Sequence, residues 1–272
     1  MKRILAFIIL ALCLSVCVFA DVKVEDPSYY EKFKGQNITL NVYNWGEYIS
    51  DGGENTLDVI AEFEKISGIK VTYTTYETNE DLYAKLSSSN SRYDIIIPSD
   101  YMIARMINED MLEKINFDNI PNISMIDDKY RYTDFDKTGE YSVPYTWGTV
   151  GVVYNKKHVD QEDIGSWDLL WNQKYSGAIL MFSNSRDAFG VALKKLGYSL
   201  NSTNEHEIAQ ATEFIDTKKR NFRDYADDGS LYKSYKITHN RNNQALNNHF
   251  CTQVYSPCYA SLKSYSLNVN TD

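Results

Sequence analysis

The chain has 272 residues, of which 43% are hydrophobic and 14% aromatic, and its formal net charge is -9. This composition is that of a folded protein long enough for two medium-sized cores. The acidic charge is concentrated in residues 21–229, which disfavours nucleic acid and anionic membrane surfaces and favours cationic partners. Acidity that serves solubility alone is the alternative interpretation.

The first twenty residues have the pattern of a secretory signal peptide. Lys2 and Arg3 are basic, residues 4–19 are apolar, and Ala20 is the small residue expected before a cleavage site. We therefore predict export and cleavage after Ala20. Residues 14–17 vaguely resemble a lipoprotein processing box, although Val16 is bulky for the position just before a modified cysteine. The sequence therefore leaves open whether the product is soluble or lipid-anchored.

A polar N-terminal arm, residues 21–37, leads into a first α/β unit. Residues 38–43 alternate apolar and polar side chains and predict the first strand. A helix capped by Asn55 and ended by Gly68 follows it. A second strand then spans residues 69–74.

The same unit continues with a helix capped by Asn79. Residues 93–98 form a continuous apolar run closed by proline, which predicts a strand buried on both faces. Ser99 or Asp100 caps the helix after it. This alternation of strand and helix is typical of an α/β layer with right-handed crossovers.

A second α/β unit is predicted further along the chain. Residues 141–154 contain one or two strands that could cross between two lobes. Gly177 precedes a strand at residues 178–182, and residues 186–196 form a helix ended by Gly197. Asn204 caps a further helix.

The composition changes after about residue 218. Residues 230–272 contain no glycine, almost no acidic residue and no sustained period of two or 3.6. We therefore hypothesise that residues 219–272 are a divergent tail that is not the native continuation of the fold. The sequence leaves open whether this tail is ordered.

The common catalytic motifs are missing. There is no glycine-rich phosphate loop and no nucleophile elbow, and the four histidines lack metal-site spacing. The sequence therefore predicts no catalytic residue, no cofactor and no metal site. Three short segments at predicted strand ends are the remaining candidates, because ligands of α/β sheets collect at the carboxyl ends of strands. They are residues 45–48, 99–101 and 184–187.

Each of these segments combines aromatic, amide or hydroxyl groups with a carboxylate. Aromatic faces beside carboxylates suit a cationic organic ligand. Each also has a purely structural alternative. Trp45 could belong to the core, Ser99 could simply cap a helix, and Asp187 could be a first-turn acid favoured by the helix dipole.

Five collinear segments resemble the spermidine/putrescine-binding proteins of bacterial ABC uptake systems. The segment NWGEY at residues 44–48 is similar to that family's N-W-x-x-Y signature. The others are TYETNE (75–80), YDIIIPS (93–99), VPYTWG (143–148) and ALKKLGY (192–198). The resemblance extends over about residues 38–217.

This resemblance implies an α/β, two-lobed periplasmic solute-binding-protein fold of type II that closes on a polyamine and delivers it to a membrane permease. Trp45 and Tyr48 would stack on the methylene chain, and Glu47 would help hold an ammonium group. The remaining ligand-binding residues that it implies are Ser99, Tyr101, Asn184 and Asp187. Because Asn184 stands where some members carry aspartate, the preferred amine is left open.

The resemblance also divides the chain. It implies a first lobe at residues 38–140 and a partial second lobe at residues 141–218, with the C-terminal part incomplete and binding impaired as a result. The alternatives are a solute-binding protein for another ligand, such as an iron complex or a sugar, and an exported hydrolase.

Overall fold

The computed structural model describes residues 22, 24, 26–46, 48–53, 56–88, 92–148, 151–226, 250–253 and 258–262. The predicted leader, residues 1–20, lies outside these residues. The helices are α1 (Pro27–Glu31), α2 (Val59–Ser67), α3 (Asn79–Ser88), α4 (Asp100–Asn108), α5 (Asp128–Arg131), α6 (Ser185–Lys195) and α7 (Glu205–Lys218). The strands are β1 (Thr39–Trp45), β2 (Lys70–Tyr76), β3 (Ile95–Ile96), β4 (Ser142–Thr146), β5 (Gly151–Val153), β6 (Ile179–Phe182), β7 (Phe222–Ala226), β8 (Phe250–Gln253) and β9 (Cys258–Leu262).

Two mixed sheets organise these strands. The first has the order β2-β1-β3-β9-β4 and the second the order β5-β8-β6-β7. β1 and β3 are parallel, as are β6 and β7. Each sheet has its own hydrophobic core, one around Ile96 and Met102 and the other around Leu170 and Ile179. The predicted α/β class is confirmed.

Two compact units are distinguished within the chain. The described residues before Thr39, together with residues 51–70, form one unit, which contains α1 and α2. Residues 39–50 and the described residues from Val71 onward form the other, which contains both cores. The lobe boundaries at residues 140 and 218 stay predictions.

Helix ends show where local sequence signals succeed and where they mislead. Gly68 ends α2 as predicted, with a left-handed φ of 73°, and its amide donates to the carbonyl of Glu64. The start of α2 was predicted wrongly. The carboxylate of Asp58 accepts a hydrogen bond from the amide of Ala61 at 2.9 Å, so the helix begins at Val59 and not directly after Asn55.

Three strands are described after residue 218, while the hypothesis that residues 219–272 are a divergent tail stays a prediction. β7 follows α7 and pairs in parallel with β6, which continues the α/β pattern past the point where the sequence predicts its end. β8 pairs with β5 and β6, and β9 pairs with β3 and β4. Strand pairing depends on backbone hydrogen bonds, and the composition of this segment gives no signal for them.

In the part of the chain that the structure describes, no helix has both the length and the hydropathy required to cross a bilayer.

Candidate ligand-binding site

The first two predicted segments lie at the same edge of the first sheet. β1 and β3 are parallel and in register, with Tyr43 opposite Ile96. Trp45 closes β1, and Ser99 follows β3 by three residues. The carboxyl ends of parallel strands meet at one sheet edge, so the sequence argument placed these residues correctly with respect to each other.

Trp45 is a core residue in this structure. Only 6% of its surface is exposed, and its ring lies 4.6 Å from the ring of Tyr76 and 5.8 Å from that of Tyr48, measured between centroids. Tyr48 is half-buried at the border of this core, and its carbonyl accepts a hydrogen bond from the hydroxyl of Tyr145. The third member of the predicted set, Glu47, lies outside the described residues.

Ser99 and Tyr101 are held by one buried amide. Asn79 is fully buried, and its side-chain nitrogen donates to the hydroxyl oxygens of Ser99 and Tyr101, at 3.0 Å in both cases. Its side-chain oxygen accepts from the amide of Ser99, also at 3.0 Å. Ser99 occupies the cap position of α4, but its side chain makes no capping hydrogen bond. Asn79 therefore fixes both predicted residues at the start of α4.

Asn79 was predicted as a helix cap, and that assignment is wrong. The hydroxyl of Thr78 accepts from the amide of Asp81 at 3.1 Å and donates to its carboxylate at 2.6 Å, which is a capping interaction. Because Thr78 takes this role, the side chain of Asn79 is available to residues twenty positions further along. No local pattern signals such a distant partner.

The start of α4 has perturbed acid–base properties. The hydroxyl of Tyr101 donates to the carboxylate of Glu80 at 3.1 Å. Burial raises the pKa of Tyr101 well above its usual value, and the negative charges of Glu80 and Asp187 act in the same direction. Burial also raises the pKa of Asp100, against the opposing effects of the Tyr101 amide and the positive charge of Arg186.

The third predicted segment lies at the start of α6. Asn184 is buried and caps the helix, because its side-chain oxygen accepts from the amide of Arg186 at 3.0 Å. Asp187 is half-buried in the first turn of the same helix. The structure thus gives Asn184 a capping contact and leaves its predicted ligand role a prediction.

A cavity of about 1020 Å³ lies along α4 and α6. Tyr101 and Asp187 line it, together with Asp100 and Arg186. The charged residues of its lining are four acids and three bases: Asp100, Glu109, Asp134, Asp187, Arg105, Arg186 and Lys194. Arg105 and Glu109 pair at 2.9 Å, which leaves three acids against two bases in the lining. The other predicted residues, Trp45, Tyr48, Ser99 and Asn184, are not among those lining this cavity.

A separate group of carboxylates has metal-ligand spacing. Oxygen atoms of Asp160, Glu162 and Asp163 lie within 4.8 Å of one another. The ammonium of Lys174 pairs with Asp160 and, at 3.0 Å, with Asp163. The Tyr175 hydroxyl and then Lys174 lower the pKa of Asp163, while both aspartates raise that of Lys174. The single positive charge of Lys174 thus offsets only part of the charge of these three carboxylates.

A family of proteins described as bacterial extracellular solute-binding proteins matches residues 58–248. The match continues past residue 217, where the resemblance was expected to end. The spermidine/putrescine-binding periplasmic protein of Escherichia coli (strain K12) is 40% identical over 176 residues, which are 64% of this chain and 49% of that protein. The putrescine-binding periplasmic protein SpuD of Pseudomonas aeruginosa is 33% identical, over 66% of this chain and 50% of that protein. The chain thus spans about half the length of these curated relatives.

Solved structures give the same assignment. The Tp0655 (TpPotD) lipoprotein of Treponema pallidum superimposes with a TM-score of 0.69 at 28% identity, covering 85% of this chain and 76% of that one. The spermidine/putrescine substrate-binding protein PotD of Streptococcus pneumoniae has a TM-score of 0.59 at 30% identity, covering 84% and 73%. The chain belongs to the bacterial extracellular solute-binding proteins and has the fold of the type II periplasmic members.

Proposed function

We propose that the chain is the polyamine-binding subunit of an ABC importer, which captures spermidine or putrescine by lobe closure and delivers it to the permease. The observation that carries this proposal is the cavity, which Tyr101 lines together with the acids Asp100 and Asp187. A polyamine is a series of ammonium groups separated by methylene groups, so it requires alternating carboxylates and aromatic surfaces. The names of the relatives agree with this ligand class.

The proposed location is the extracytoplasmic side of the membrane. The relatives are named periplasmic proteins, and one solved relative is named a lipoprotein. Contact with the membrane would then occur through the permease or through a lipid anchor at the N-terminus.

A thermal unfolding assay tests the ligand class. We expect spermidine and putrescine to raise the melting temperature of the full chain and a neutral sugar to leave it unchanged. A ligand that binds only the folded state at about a hundred times its Kd adds roughly 2.7 kcal/mol to the free energy of unfolding. Absence of a shift with both amines, or an equal shift with the sugar, would reject the proposal.

Replacing one carboxylate tests the site itself. We expect Asp187→Asn to weaken amine binding about ten- to a hundredfold, because hydrogen bonds to charged groups contribute roughly 1.5–3 kcal/mol. Titration calorimetry with putrescine measures the change. Glu213→Gln is the matched control, since Glu213 is an exposed acid on α7 away from the cavity, and its Kd should equal that of the unaltered chain.

The raised pKa of Asp100 predicts a pH dependence. Amine affinity requires the charged carboxylate, so it is complete above this pKa and decreases as the pH falls through it. Because burial raises the pKa, the decrease begins at a higher pH than an ordinary carboxyl would give. Measuring the Kd for putrescine between about pH 4 and 7 tests this decrease in affinity. Asp100→Asn should flatten the profile, and an unaltered profile in that variant would assign the titration to another group.

A further inference from the structure

A positively charged side chain of the protein itself, Arg186, contacts the ring of Tyr101. The guanidinium carbon of Arg186 lies 5.2 Å from the centroid of this ring, within the range of a cation–π contact. The charge of Arg186 also acts on the carboxylate of Asp100 and opposes the rise of its pKa. Arg186 is exposed and lines the cavity together with both residues.

The position of Arg186 in its own helix does not explain its presence. It lies in the first turn of α6, where the positive end of the helix dipole disfavours a cation. Local interactions explain the positions of the other two cationic residues that line the cavity. Lys194 lies in the last turn of α6, where the dipole favours it. Arg105 pairs with Glu109 and stacks on Tyr83 at 3.6 Å. Arg186 instead contacts the ring of Tyr101 on α4, and its charge acts on Asp100 of the same helix.

We propose that Arg186 determines specificity by occupying one of the cation positions of the cavity. This inference rests on the proposed polyamine function. An incoming ammonium group must displace the guanidinium from Tyr101, and the displaced charge stays attached to the start of α6. It then repels each further ammonium of the ligand, so the cost increases with the number of ligand charges. The cavity thereby discriminates against spermidine, with three amino groups, relative to putrescine, with two.

The test compares two variants that each remove one positive charge from the same cavity. Calorimetric titrations of the full chain, of Arg186→Gln and of Lys194→Gln are carried out with putrescine and with spermidine. We expect Arg186→Gln to tighten amine binding about three- to thirtyfold, with the larger gain for spermidine. Lys194→Gln should give a smaller gain, because among the described residues the cation over the Tyr101 ring is Arg186 and not Lys194. Arg186→Lys, which keeps the charge, should keep the discrimination between the amines.

Two results would overturn the inference while leaving the proposed function intact. One is an equal gain in Arg186→Gln and Lys194→Gln, which would indicate a general charge effect. The other is weaker amine binding in Arg186→Gln, which would indicate that the guanidinium helps to build the site. The melting temperatures of the three variants without ligand verify that each is folded.

If the proposed polyamine function is wrong, the same titrations give a different set of results. If the unaltered chain binds no amine but Arg186→Gln does, the polyamine function of the unaltered chain is rejected, while occupation of the cation position by Arg186 is supported. If neither protein binds an amine, both the polyamine function and the role of Arg186 are rejected.

Discussion

Replacing Trp45 by alanine should lower the free energy of unfolding by about 3–5 kcal/mol, the usual cost of truncating a buried aromatic residue to alanine. Trp45 is 6% exposed and packs against Tyr76 and Tyr48, so its removal leaves a cavity in the first core. Urea unfolding of the variant measures the loss. Trp147→Ala is the matched control. Trp147 is 59% exposed and stacks on Tyr130, so we expect a cost below about 1 kcal/mol.

The conservative variant Trp45→Phe separates the core role from the ligand role. Phenylalanine keeps much of the apolar volume, so the folded state should persist. Since so little of Trp45 is accessible, we expect the amine Kd of the folded variant to change by less than about twofold. A tenfold weaker Kd in a well-folded Trp45→Phe protein would instead show that the indole forms part of the binding wall, as the resemblance implies.

Replacing Asn79 by alanine should damage stability and binding together. The change removes three hydrogen bonds and leaves the amide of the buried Ser99 unsatisfied. One unsatisfied buried group costs about 1–3 kcal/mol, and we expect a total loss of roughly 2–4 kcal/mol. The hydroxyl of Tyr101 also loses its amide donor, so the ring shifts and the amine Kd should weaken about tenfold.

A second buried asparagine provides the control for Asn79. Asn221 is 2% exposed, and its side chain donates to the carbonyl of Trp171 at 3.2 Å and accepts from Gln173 at 3.3 Å. Asn221→Ala should therefore destabilise the second core without changing the amine Kd, as calorimetry on the folded variant measures. If the two alanine variants lose similar stability and both keep normal affinity, Asn79 has a structural role only.

Much of the fold is predictable because its signals are local. Gly68 and Gly197 adopt left-handed φ angles directly after helices, and Asn204 caps α7 through the amide of His206 at 2.9 Å. These interactions join residues within a few positions of each other, so a sequence window contains all of their participants. The pairing of β8 and β9 joins distant segments and was not predicted.

The candidate site is predictable only in part, for a similar reason. The strand-end rule identified Tyr101 and Asp187, which line the cavity. It could not decide whether Trp45 faces a ligand, because residues 42–45 are all buried and the usual alternation between strand faces is lost. The roles of Asn79 and Arg186 depend on contacts with α4, and neither residue is close to α4 in sequence.

Each of the two cores contains a buried tryptophan whose fluorescence can report on that core. Trp45 lies in the first core and Trp171, 5% exposed, in the second, and among the described residues neither indole nitrogen has a hydrogen-bond partner. An indole in dry, apolar surroundings emits at shorter wavelength than one in water, so both should fluoresce towards the blue. A variant that keeps one of these two and has phenylalanine at the other three of the four tryptophan positions would report the opening of one sheet at a time. The order in which the blue emission is lost would then reveal which half of the fold melts first.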